Sequence, residues 1–74
     1  MGTIMPTLRI KFGKRLRALR RERKLTQEEF AERADISVDF LSLVERGINA
    51  PSFDTMERMA KVLKAPVANL FMFR

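Results

Sequence analysis

The sequence predicts an all-α domain of about five short helices. Apolar residues recur at helical spacing along nearly the whole chain. Ser and Thr stand where helices would begin. Only three Gly and three Pro interrupt 74 residues. Strand-like alternation, internal repeats and low-complexity segments are not found in the sequence. A chain of this length has room for one domain, expected over residues 8–74 after an N-terminal extension of residues 1–7. Its core would be so small that losing two or three large side chains threatens folding.

The first helix follows from Phe12, Leu16 and Leu19, which share one stripe of a helix of about four turns within residues 8–24. Leu25 then precedes Thr26-Gln27-Glu28-Glu29, a capping box that starts helix two by satisfying orphan amides from both ends. Phe30, Ala31 and Ala34 form the inner side of that helix. Asp35 ends it, being a residue type that tolerates left-handed backbone. Ser37 caps a third helix from Val38 to about Arg46, which stops at Gly47. After the loop Ile48-Asn49-Ala50-Pro51, Ser52 caps a fourth helix whose inner stripe is Phe53, Met56, Met59, Ala60 and Leu63. Pro66 redirects the chain into a short fifth helix, Val67 to Phe71.

Composition removes several function classes. The chain has no Cys and no His, so disulfides, thiol nucleophiles, imidazole or thiolate metal ligands and the usual neutral-pH general base are all excluded. Glu28 and Glu29 are adjacent at a helix start, where their side chains diverge, and no nucleophile accompanies them. An enzyme is therefore not expected, nor a cofactor, a metal site or a small-molecule ligand. No apolar run approaches the roughly 18 residues needed to span a bilayer, and MGTIMPTLRIKFGKR lacks a signal-peptide core. A soluble cytoplasmic protein with no membrane association is expected.

The net charge of +6 is concentrated. Residues 8–24, LRIKFGKRLRALRRERK, hold nine Lys or Arg against the single acid Glu22. The basicity belongs to that one segment, whose charges face either solvent or a partner.

The stretch Gln27 to Arg46 has an apolar residue at its fourth position (Phe30), a small one at its fifth (Ala31), and apolar ones again at Ala34, Ile36, Leu41 and Val44. Ala31 has to be small because the following helix crosses close above it, and the others fill the wedge between the two helices. On these residues, together with LRALR, the PSFDTMERMAKVL block and the closing NLF, the chain resembles the Cro/repressor-type, lambda-repressor-like helix-turn-helix family. The resemblance covers about residues 10–71. It implies five helices, with the helix-turn-helix at helices two and three. It also implies a third helix laid in the major groove of double-stranded DNA, and a homodimer on an inverted-repeat operator. Asp35 departs from the Gly usual in the family.

Helix three carries two carboxylates, Asp39 and Glu45, an arrangement at odds with binding a polyanion. At about 100° per residue, Leu41, Val44 and Glu45 fall on one side, toward the core. Ser42, Arg46, Asp39, Leu43 and Phe40 fall on the other. The resemblance pairs the inward Glu45 with Arg20 of helix one in a structural salt bridge. Asp39 has two compatible readings: it stabilises the positive end of the helix, or it accepts from the amino group of cytosine. Leu43, Val38 and Phe40 either offer apolar contact to thymine methyls or pack within the domain, and Ser42 shares their face. The positions matched in the family point to Gln27, Ser37, Arg46, Asn49 and Ser52 for phosphate contact, with Arg17, Arg21, Arg23 and Lys24 as flanking candidates.

The tail Val67 to Phe73 is more apolar than a domain edge requires, with Phe71, Met72 and Phe73 expected to stay exposed; it is read as a dimer interface over Leu70, Phe71, Met72 and Phe73, the alternative being closure of the core. Small members of this family include phage repressors, restriction–modification controllers and antitoxins, and the sequence leaves these open. The rival expectation is a protein-interaction module that uses the same fold without DNA.

Overall fold

The structure is a computed structural model that describes residues 7–73. The described residues form four α-helices and one 3-10 helix: α1 (Thr7–Glu22), α2 (Gln27–Ala34), α3 (Val38–Glu45), α4 (Phe53–Leu63) and a 3-10 helix at Val67–Phe71. The all-helical expectation holds, but the fifth element is a 3-10 turn and not an α-helix. Five residues are too few to offset the cost of nucleating an α-helix, and Pro66 at its N-cap leaves it with no side-chain cap. Most of the expected N-terminal extension, residues 1–6, lies outside the described residues.

The core gathers one stripe from each element. Leu16, Phe30, Leu41, Val44, Met59, Leu63 and Leu70 are fully buried, and Phe12, Leu19, Ala31, Ala34 and Ala60 complete the cluster. Ile36 is half-buried against the same cluster. Burying each large side chain contributes about 1.5–3 kcal/mol. Phe53 departs from its expected inner position, being 82% exposed. It is the first residue of α4 and so lies one turn beyond the place where Met56 and Met59 reach the core.

The helix starts follow from side-chain caps. Thr26, Ser37 and Ser52 each accept a backbone N–H three residues on, and Thr26 with Glu29 closes a full capping box. Because Glu29 accepts the Thr26 backbone N–H, its carboxyl is held below its usual range. A depressed folded-state pKa means that the contribution of Glu29 is present above its unfolded pKa and lost as pH falls through the lower folded value. Replacing Glu29 by Gln should therefore flatten the decline of melting temperature below about pH 4.5. An acid limb as steep as that of the unaltered protein would show that the capping carboxylate does not matter. Thr26→Ala should cost about 0.5–2 kcal/mol at any pH.

The helix ends were less visible in the sequence. All four α-helices close with the same pattern, in which an amide five residues on returns to the helix: Leu25 to the Arg20 carbonyl, Ile36 to Ala31, Ile48 to Leu43 and Ala65 to Ala60. The residue before each is left-handed, and three of the four are not glycine: Lys24, Asp35 and Lys64, beside Gly47. This is the Schellman geometry, in which an apolar residue after the left-handed one packs back on the helix. Leu25, Ile36 and Ala65 do so. α1 therefore ends at Glu22, a helix of the expected four or so turns. α4 ends at Leu63 with Lys64 as its cap, before Pro66 is reached.

Candidate nucleic-acid interface

α3 is held from behind. Leu41, Val44 and Glu45 are buried, whereas Asp39 and Arg46 are exposed and Ser42 and Leu43 are half-exposed. Val38 and Phe40, expected on the outward face, are half-buried and packed against the core. Part of each ring or branch is thereby withdrawn from any partner. Ser37 is exposed, but its hydroxyl is engaged as the cap of α3 through the Phe40 amide.

The Glu45 carboxylate lies at the centre of a network. Arg20 Nε donates to Oε2 at 2.6 Å and Nη2 to Oε1 at 3.1 Å. The third nitrogen, Nη1, donates to the Leu25 carbonyl at 2.8 Å, where α1 turns toward α2. Gln27 Nε2 donates to Glu45 Oε1 at 3.0 Å. One ion pair therefore joins the end of α1, the start of α2 and the end of α3. Its two side chains are only 8% and 3% exposed, so solvent screens it little. The Glu45 carboxylate is thus neutralised inside the fold, and of the two acids on α3 only Asp39 is exposed.

Above this pair opens a polar cleft bordered by Arg17, Arg21, Gln27, Ser42 and Arg46. Two of the flanking cations of α1 thus stand beside α3. Arg23 does not: its Nε donates to the Leu63 carbonyl at 2.9 Å, capping the end of α4. Gln27 has one amide N–H on Glu45 and a second left for a partner. Ser52 is exposed at the start of α4, yet its hydroxyl donates to Thr55 Oγ1 and accepts from the Thr55 amide. What this helix start offers an anion is thus its opening backbone amides. Asn49 is half-buried and lines an apolar groove with Leu8, Phe12, Pro51, Met56 and Phe71.

The tail divides. Leu70 is fully buried, which removes it from any dimer face: its side chain closes the core of its own chain. Phe71 packs on Phe12 with ring centroids 5.2 Å apart and remains 37% exposed, and Met72 is 59% exposed. Phe73 is half-buried and meets Phe71 edge-on. Leu8, at 60% exposure, borders the same groove and enlarges the patch.

Two residues that shape the site carried weak signals. Gly13 lies mid-α1 where a Cβ would strike the carbonyl oxygens of Val44 and Glu45. An isolated glycine inside a helical pattern is the only sequence hint of such a close approach. Arg58 donates to the Ala34 carbonyl at the end of α2, and nothing in its spacing signals that.

Residues 11–70 match the family model for a helix-turn-helix domain. The chain is 43% identical over 56 residues to the immunity repressor protein of Bacillus phage phi105, covering 76% of this chain and 39% of that protein. It is 41% identical over 61 residues to the HTH-type transcriptional regulator DdrOP3 of Deinococcus deserti, covering 82% of this chain and 47% of that one. The chain spans less than half the length of either relative. Among solved structures, the restriction-modification controller protein C.AhdI from Aeromonas hydrophila superposes with a TM-score of 0.83 at 33% identity, covering 85% of this chain and 96% of that chain. The clp gene regulator ClgR from Corynebacterium glutamicum gives 0.82 at 33% identity, with 85% and 67% covered.

Proposed function

Since the chain belongs to the helix-turn-helix domain family, we propose that it regulates transcription in the cytoplasm as a homodimer on an inverted-repeat DNA operator. α3 enters the major groove, with Leu43 and Asp39 reading base edges, Ser42 beside them, and Val38 and Phe40 contributing what the core leaves free. Gln27, Ser37, Arg46 and the amides opening α4 at Ser52 hold phosphates, and Arg17 and Arg21 reach those that flank the site. Asn49 adds a backbone contact from the α3–α4 loop. The observation that carries this reading is the burial of Glu45 against Arg20, which leaves the outer face of α3 beside a cleft bordered by arginines.

One such face supplies few base contacts, so affinity depends on a second copy. Phe71, Met72 and Phe73 form the dimer contact, and the two recognition helices then meet half-sites whose centres lie about 34 Å or a multiple apart.

Selection of bound sequences from a random duplex pool tests the whole reading. A palindromic motif is expected. Leu43→Ala and Asp39→Ala should each relax preference at one position of the half-site, costing about 1–3 kcal/mol there. Gln27→Ala should weaken binding uniformly across sequences. Arg46→Ala should make log affinity fall less steeply with log salt, by about 0.9 for each phosphate that is no longer neutralised. Recovery of no motif would sink the proposal and favour a protein-interaction module built on the same fold.

A further inference from the structure

Arg58 stands half-buried on α4 and is not among the residues bordering the cleft beside α3. Its guanidinium is used in two directions: Nε donates to the Ala34 carbonyl oxygen at 2.9 Å and Nη2 to Thr55 Oγ1 at 3.2 Å. Ala34 is the last residue of α2, and left-handed Asp35 follows it. That carbonyl therefore lies at the turn that sets α3 against α2. A carbonyl in the last turn of a helix has no partner within the helix, and a cation beside it also meets the negative end of the helix dipole.

The second direction leads to the other end of the site. Thr55 Oγ1 also accepts the hydroxyl of Ser52, the N-cap of α4, whose opening amides are proposed to hold a phosphate. A single planar fork thus spans from the start of α4 to the α2–α3 turn. The rigid geometry of arginine permits this, whereas the point charge of lysine serves one direction at a time.

We propose that Arg58 is a positioning residue for DNA recognition, fixing the angle of α3 relative to the start of α4 while touching no DNA itself. The inference rests on the DNA-binding reading above. It predicts that Arg58 governs discrimination between sequences and leaves the electrostatic attraction to any duplex untouched.

Arg58→Met and Arg58→Lys would be compared with the unaltered protein at a temperature where circular dichroism shows all three folded. The probes are the duplex selected by the unaltered protein and a random-sequence duplex, each titrated over a range of salt. Arg58→Met should bind the selected duplex roughly 2- to 30-fold more weakly, bind the random duplex as before, and keep the same salt slope. Arg58→Lys should fall between. Equal weakening on both duplexes with a slope shallower by about 0.9 would make Arg58 a phosphate contact and overturn the proposal. A lower melting temperature with both affinities unchanged would overturn it too. Amide exchange needs no DNA: Asp35 and Ile36 should exchange faster in Arg58→Met, and unchanged exchange would refute the role. If the unaltered protein selects no duplex, the DNA-binding reading fails, and the exchange measurement alone decides whether Arg58 holds the turn.

Discussion

Glu45→Ala should lower the melting temperature by at least about 12 °C. The substitution leaves the Arg20 guanidinium buried with only the Leu25 carbonyl as partner. Removing one partner of a buried pair costs about 3–5 kcal/mol, and each kcal/mol shifts a domain of this size by about 4–8 °C. Total stability at this length is of the order of 4–11 kcal/mol, so the variant approaches the limit of folding. Gln27 loses its acceptor at the same time, which loosens the start of α2. The cost comes from stranding a charge, so replacing both members with Met should recover most of the loss, because no charge then remains to be solvated. Thermal melts of the two single variants and the double variant check this. A Glu45→Ala protein that melts within a few degrees of the unaltered one would show that the pair is not closed to solvent.

Gly13→Ala should also destabilise the protein, although local propensity says the opposite. In an exposed helix interior Ala is favoured over Gly by about 1 kcal/mol. Here the added Cβ would meet the Val44 carbonyl oxygen and come within 2.6 Å of the Glu45 carbonyl oxygen. Both obstacles are backbone at the end of α3, and the adjoining Glu45 side chain is tied down by Arg20 and Gln27, so they cannot move aside cheaply. Overpacking of this kind costs about 1–3 kcal/mol, which corresponds to a fall of about 4–24 °C. α3 would be pushed off α1, and the face proposed to read DNA would tilt with it. A melting temperature equal to or above that of the unaltered protein would show that the two helices are free to separate.

These two positions separate what could be read from the chain from what could not. The helix starts were legible because a cap is a local event: Thr26, Ser37 and Ser52 satisfy amides three residues away, and the residues involved are adjacent in sequence. The helix ends were only half legible. Asp35 and Gly47 are recognisable by type, but Lys24 and Lys64 adopt the same left-handed backbone only because Leu25 and Ala65 are drawn back to the core after them. Periodicity found most of the core and misplaced Phe53, since a helical stripe does not show how far along the helix its neighbours extend. It also counted Leu70 with the tail's dimer face, where packing takes Leu70 for the core and leaves Phe71 and Met72 outside.

The sequence by itself determined the helical class, the N-terminal caps, the buried Ala31 of α2 and the inward turn of Leu41, Val44 and Glu45 on α3, because each depends on residues within about two turns of one another. Only the tertiary structure decided that Gly13 has no room for a Cβ and that Arg23 caps α4 and does not face the cleft. Arg58 likewise reaches the α2–α3 turn from 24 residues away. Contacts of that kind depend on how separate helices are brought together, and that geometry is set by the filling of the core as a whole, which no local run of residues encodes.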